Sequence, residues 1–350
     1  MVMNKQFISV IVTISILALI SSISITHYSL FSSGYTDNNQ TEKAVNYLSD
    51  VMFVPSVGLD RCSPIAEPNT IWLTNDNILA YAVLLDFNKS VANTLNQSLS
   101  NYGVNGNGLA ELTLNKTIEP IRTPNNYNIT TIGQYTIMEE VRNGNLMEDF
   151  NQYADLCFWW SQNLLLKNDT NGAITYFNQG MSMWNGTGFL DIVFNASQPQ
   201  EKEFQTYKVG LALWMAERLN WITCGELYQR TSFTNADYSE MQNIIWNLQD
   251  PTNGGIHTGY TSTGGTISSN TDTNVETTSI CLLYLLSSTA TPSPAPTPTS
   301  DSTPIPTTPE FTLTSIIILF VAGAIVAVAV FQQKRAIPKI SLNGITRVLC

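Results

Sequence analysis

The chain reads as mostly α-helical, with helices paired into hairpins and the hairpins arranged in a ring. Helical segments recur at roughly 40 to 50 residues and alternate between nearly all-apolar and one-faced. A two-layer ring gives that pattern, with buried helices inside and half-exposed ones outside. The apolar and proline-rich ends are not globular, so the ring is confined to the middle of the chain.

Each element has its own signal. In Thr41 to Val54, Ala44, Leu48 and Met52 at a spacing of four predict a first amphipathic helix. A loop follows, punctuated by Pro64 and Pro68. A long helix is expected from about Asp76 to Leu99, with Leu84, Phe87, Val91, Leu95 and Leu99 on one face and Gly103 beyond its end. Residues 100–147, rich in Asn, Thr and Gly, predict exposed loop with a short helix or a strand pair.

Glu148 to Lys167 carries acids in its first turn and a lysine in its last, as the helix dipole favours. The aromatic, glycine-interrupted run from Ile174 to Phe194 predicts a loop. Glu201 to Asn220 is apolar on nearly every side at VGLALWMA, the mark of a helix buried all round. Ala236 to Gln249 is amphipathic through Met241, Ile244, Ile245 and Leu248, and Asn274 to Leu286 predicts one more buried helix.

The flanks predict a membrane-anchored surface protein. Residues Phe7 to Ile25 form an uncharged apolar run after Lys5, so 1–34 reads as a signal peptide or signal anchor. Residues 312–331 are about 20 uncharged residues, enough to span roughly 30 Å of hydrocarbon. Every Asp and Glu lies between the two runs, and only Lys334, Arg335, Lys339 and Arg347 carry charge after them. Basic residues gather on the cytoplasmic side, so 35–288 is expected outside and 332–350 becomes a basic cytoplasmic tail. The Pro/Thr/Ser segment 289–311 forms an extended stalk. Net charge is −11, carried by the outside portion, which argues against a nucleic-acid partner.

Cys62, Cys157, Cys224 and Cys281 lie in that portion. They permit two disulfides in three pairings, or isolated apolar thiols. Asn-x-Ser/Thr sequons at Asn39, Asn88, Asn96, Asn115, Asn128, Asn168, Asn185 and Asn195 would make it a glycoprotein if exported.

Two resemblances add to this reading. Pro309-Glu310-Phe311, the apolar run and Lys334-Arg335 resemble an archaeal C-terminal sorting signal. The resemblance implies a membrane sorting protease as a partner. Ile244 to Gln249 followed by Asn253-Gly254-Gly255 resembles the Gln-to-Gly repeat of α/α-toroid proteins, which include prenyltransferase-like domains and six-hairpin glycosidases. That likeness covers 201–286 and implies an α/α-toroid-like ring. At about 255 residues the domain is short for six full hairpins, which leaves room for an incomplete ring with an open groove.

In such rings the inner-helix N-termini and their loops line a central cavity. Asp272 and Glu276 fall there, and Asp76 and Asp191 would join the same rim; paired carboxylates are the equipment of a glycan hydrolase or lyase. Glu276 also has a structural explanation, because Thr273-Asn274-Val275-Glu276 spells a capping box, and Asp76 or Asp272 could serve as caps. Trp72, Trp184, His257 and Tyr260 are the expected ligand-binding residues: tryptophan faces pack on sugars, and histidine carries protons near neutrality. Tyr207 and Lys208 read as core and snorkelling partner.

No metal-spaced His/Cys set, nucleophile elbow or phosphate-binding glycine loop occurs, so no cofactor is expected. Two functions therefore compete: a carbohydrate-active enzyme, or a non-catalytic surface module that binds glycans or peptides or supports the cell envelope. Carboxylates about 5 to 10 Å apart in one cleft favour the first.

Overall fold

A computed structural model describes residues 38–286, apart from 65–70, 105, 107, 134, 196–202, 223–226 and 264. The leader, stalk, spanning helix and tail expected from the sequence lie outside the described residues. Within them, no helix is long and apolar enough to cross a membrane.

The first helix, α1 (Asn38–Asn46), widens into a π turn over Tyr47–Met52, and the short strands β1 (Phe53–Val54) and β2 (Leu59–Asp60) pair after it. Strand β3 (Ile71–Leu73) leads directly into α2 (Thr74–Phe87), which is followed by α3 (Lys89–Asn101). The single helix expected over this stretch is thus two. Asn88 leaves the helical region at φ −146°, and its side chain accepts the Val91 N–H at 3.3 Å, capping α3. Breaking there folds α3 back on α2 as a hairpin.

Residues 100–147 hold a 3₁₀ turn, Ala110–Leu114, then the antiparallel strands β4 (Asn125–Ile132) and β5 (Tyr135–Val141). Strand β3 pairs in parallel with β5, Leu73 opposite Met138.

Next comes the hairpin of α4 (Ala154–Leu166) and α5 (Thr170–Met181). The expected loop from Ile174 is therefore a correction, since its first part is helical. Asn168 turns the chain at φ +62° and Asp169 accepts the Gly172 N–H at 2.8 Å, starting a new helix. Ala173, Ile174, Phe177 and Met181 bury one stripe, and a Cβ on Gly180 would lie 2.6 Å from the Phe158 ring. The glycine lets α5 lie close on α4, where Phe158 and Phe177 meet at 5.8 Å. Truncating either ring to Ala would cost about 3 to 5 kcal/mol.

After the single turn α6 (Ile192–Asn195) and strand β6 (Phe204–Gln205) come α7 (Thr206–Ile222), the turn α8 (Leu227–Arg230) and α9 (Asn235–Asn247). Helix α9 opens with a true capping box, in which Thr234 and Asp237 satisfy one another's backbone N–H groups. The hairpin β7 (Gly259–Thr263) and β8 (Thr266–Ser268) extends β6, and α10 (Val275–Leu282) closes the described fold.

The ring is visible in the packing. Helix α7 touches α4, α9 and α10, and α10 touches α2; the 3₁₀ turn at Ala110–Leu114 touches both α2 and α4, which closes the circle. The inner helices α2, α4, α7 and α10 are the nearly all-apolar ones, and α3, α5 and α9 lie outside. Helix α1 packs on α10, so the start of the described chain supplies the outer partner for its end. The Gln-to-Gly segment makes that junction: the Gln249 side-chain amide donates to Gln40 O at 2.8 Å and Gly254 O at 2.9 Å. Gly254 sits at φ +84° with the Lys43 carbonyl 2.4 Å from where a Cβ would stand, so no other residue fits. Among the described residues the inner layer thus has four helices. Cys157 and Cys281 are buried free thiols.

Candidate active site

The four inner helices present their first turns to one end of the ring. Asp76 is the third residue of α2, Asp155 the second of α4, Tyr207 the second of α7 and Glu276 the second of α10. Together with Asn75, Trp159 and the β5-end residues Glu140 and Arg142, they line a cavity of about 250 Å³. Negative charge is favoured at helix N-termini, so first turns tolerate carboxylates there. The parallel pairing of β3 with β5 brings Glu140 alongside: strand alternation buries Ile137 and Glu139 on one face and turns Glu140 to the other.

Among the acids lining this cavity, Asp76 and Glu276 differ from Glu140 and Asp155: neither carboxyl accepts a hydrogen bond or pairs with a cation among the described residues. Glu276 keeps more than a third of its surface open to the cavity, although protein encloses it on most sides. Burial, and then the neighbouring charges of Glu140 and Asp155, push its carboxyl up to about 7, with Arg142 pulling the other way. Burial also raises Asp76 well above the usual carboxylate range, helped by Glu276, Glu140 and Asp60. Both carboxyls therefore favour the protonated form more than free acids do; Asp76 is the more deeply buried and Glu276 the more open, with Arg142 favouring the ionised form of Glu276.

The surrounding groups are fastened. Arg142 pairs with Glu140 at 3.3 Å and donates to the Arg122 carbonyl at 3.1 Å. Asp155 is raised by burial, opposed by Lys208 at 3.9 Å, and the Tyr207 hydroxyl points at it from 3.4 Å. Burial lifts Tyr207 well above its ordinary value, with Asp155 and Glu276 adding to it, so the phenol stays a donor.

The remaining expected residues stand elsewhere. Asp191 does not line the cavity: it is buried, accepts the Ala154 N–H at 3.0 Å and forms a close ion pair with Lys208. It thereby fixes the start of α4 and holds Lys208 beside Asp155. Asp272 accepts from the Ser63 hydroxyl and from the Thr273 N–H at 2.8 Å. The expected capping box at Thr273 is not formed, because Asn274 is the cap, accepting the Thr277 N–H at 2.7 Å. That shift of one residue frees Glu276 from capping.

His257 donates Nδ1–H to Thr271 O at 2.6 Å, and Tyr260, almost fully buried, donates to Thr187 O at 2.7 Å and packs on Phe204. Trp184 donates its indole N–H to Asp237 at 3.0 Å and lies against Phe189. Trp72 is set in β3 with its backbone opposite Ile137. Trp184, His257 and Tyr260 do not line the cavity.

Sequence reasoning missed Glu140, Arg142, Asp155 and Tyr207 as site residues. The alternation in Tyr135–Val141 marks a strand, but nothing local says which helix it joins. No group of three metal-ligating side chains occurs among the described residues. A larger cavity of about 470 Å³ lies at the other end of the ring, but Asp76 and Glu276 are in the smaller one.

The described residues thus form a ring of helical hairpins with a carboxyl-lined cavity at one end. Among solved structures it is similar to the GH76A α-1,6-mannanase of Salegentibacter sp. HEL1_6, and to an inactive variant of that enzyme in complex with α-1,6-mannotriose. Each superposes with a TM-score of 0.29 at 15% identity, over 71% of this chain and 64% of the mannanase, so the chain matches under two thirds of that enzyme's length. No protein-family model and no curated protein sequence matches the chain.

Proposed function

We propose that the protein is a glycoside hydrolase held at a membrane surface, with its helical domain outside. The observation that carries this reading is the pair Asp76 and Glu276: two carboxyl groups in one cavity, both raised and neither accepting a hydrogen bond from the described residues. Glycoside cleavage needs one protonated and one ionised carboxyl at the scissile bond. Asp76 would protonate the leaving oxygen, and Glu276 would attack the anomeric carbon or draw a proton from water. Tyr207, Arg142 and Asn75 would hold sugar hydroxyls. At about 250 Å³ the cavity is smaller than the roughly 300 to 1,000 Å³ usual for drug-sized ligands, which suits one sugar unit at the end of a glycan. The surface placement rests on the apolar runs, the stalk and the basic tail.

The test is a degradation screen with the full-length chain in detergent, against α- and β-linked glycans with α-1,6-mannan among them. Wild type should release sugar from at least one, and Glu276→Gln should not. Asp191→Asn should retain turnover once corrected for folded protein. Binding without turnover by wild type would mark a non-catalytic surface module instead, and equal turnover by wild type and Glu276→Gln would exclude this site.

A further inference from the structure

The cavity of about 470 Å³ lies where the inner helices end. Leu85 and Asp86 of α2, Glu217 and Arg218 of α7, and Tyr284 after α10 line it, while the carboxyl cavity takes the first turns of the same helices. The two sites are therefore at opposite ends of the ring.

Arg218 is the informative residue. Its guanidinium forms no ion pair among the described residues, and burial lowers its pKa. One Nη reaches Asn115 Oδ1 at 3.4 Å, and its Nε is buried without a hydrogen-bond partner. The adjacent acid is engaged elsewhere, since Glu217 accepts from the Tyr238 hydroxyl. A buried guanidinium with an unused donor is costly, and a planar anion binding its fork removes that cost. Gln162 belongs to the same lining; its Nε2 donates to Leu112 O at 3.4 Å, and its buried Oε1 has no hydrogen-bond partner among the described residues, so a small side-chain rotation would offer it as an acceptor. Trp214 and Tyr284 supply aromatic wall.

We infer that this second cavity binds a carboxylated monosaccharide, a hexuronic acid, whose carboxylate sits on Arg218 and whose hydroxyl donates to Gln162. Arg218 and Lys116 attract the carboxylate and Asp86 and Glu217 in the same lining oppose it; for a dianion such as a phosphate ester that balance only doubles, while the cost of stripping its hydration rises more steeply. Aromatic wall with amide and hydroxyl-seeking groups suits a sugar ring better than an aliphatic acid. The inference goes beyond the proposed hydrolysis and uses none of its residues.

The experiment is titration calorimetry of the full-length protein with glucuronate, glucose and glucose 6-phosphate, in wild type, Arg218→Gln, Lys116→Gln and Glu276→Gln. Glucuronate should bind at least about tenfold more tightly than either other sugar, and Arg218→Gln should lose at least about tenfold, the usual scale for a charged hydrogen bond. Lys116→Gln, an exposed change that leaves folding alone, should weaken binding about two- to fivefold. Glu276→Gln should bind as wild type does, even if the hydrolase reading fails. Equal binding of glucose and glucuronate, or full affinity in Arg218→Gln and Lys116→Gln, would overturn the assignment. So would glucuronate binding lost in Glu276→Gln alone, or no binding at tens of millimolar.

Discussion

The carboxyl cavity and the glycine-rich loop beside α10 are made from similar residue types, put to opposite uses. In the loop every candidate group is tied to protein: Asp272 to Ser63 and Thr273, His257 to Thr271, Tyr260 to Thr187. In the cavity Asp76 and Glu276 accept nothing from the described residues. A buried polar group with its bonds made is structure; one left open, at a cost in stability, is available to a ligand. Hydrogen-bond satisfaction separates the two regions where residue type does not.

The largest expected effect lies in the cavity. Asp76→Asn should lower turnover about 10²- to 10⁴-fold, the usual range for a general acid, without lowering the melting temperature. A melting loss with turnover intact would move Asp76 into the structural class. Next comes Lys208→Met, which leaves Asp191 buried without its cation and should cost about 3 to 5 kcal/mol in denaturant unfolding. Tyr260→Phe strands the Thr187 carbonyl and should cost about 1 to 3 kcal/mol while turnover per folded molecule is unchanged. If turnover falls instead, the loop is part of the site.

The smallest effect is a slope. Because Glu276 holds its proton more tightly folded than unfolded, the folded state binds the extra proton between about 4.5 and about 7. Its contribution to stability is therefore greatest at low pH and declines as pH rises through that window. Thermal melts across the window should show a shallower decline in Glu276→Gln than in wild type. Identical slopes would mean that Glu276 is solvated like an ordinary surface acid.

Local chemistry explains which parts were legible in the sequence. The all-apolar middle of α7 announced a helix buried all round, because burial on every side leaves no polar stripe, and α10 read as buried too. The Gln249-to-Gly254 segment resembled the Gln-to-Gly repeat of α/α-toroid proteins, and in the fold its glutamine ties the end of α9 to Gln40. The break at Asn88 was hidden because Leu84, Val91 and Leu95 keep helical spacing across it. Helix α5 was hidden because Gly180 looks like a loop residue, whereas it clears the Phe158 ring. Glu276 was half legible: its helix start was right, but a one-residue shift of the cap from Thr273 to Asn274 decides whether it caps or faces the cavity. Glu140 and Asp155 were not legible as partners, since their meeting depends on β3 pairing in parallel with a strand some 65 residues later.

Chemical rescue tests the central claim most directly. Glu276→Ala removes the carboxylate and leaves room in the cavity for a small one, such as formate. On a glycan that wild type cleaves, the account predicts loss of turnover in Glu276→Ala and partial recovery that rises with formate concentration. Asp272→Ala, whose carboxylate only braces a loop, should keep turnover per folded molecule and show no response to formate. Wild-type turnover in Glu276→Ala, or formate rescue of Asp272→Ala in its place, would contradict the account.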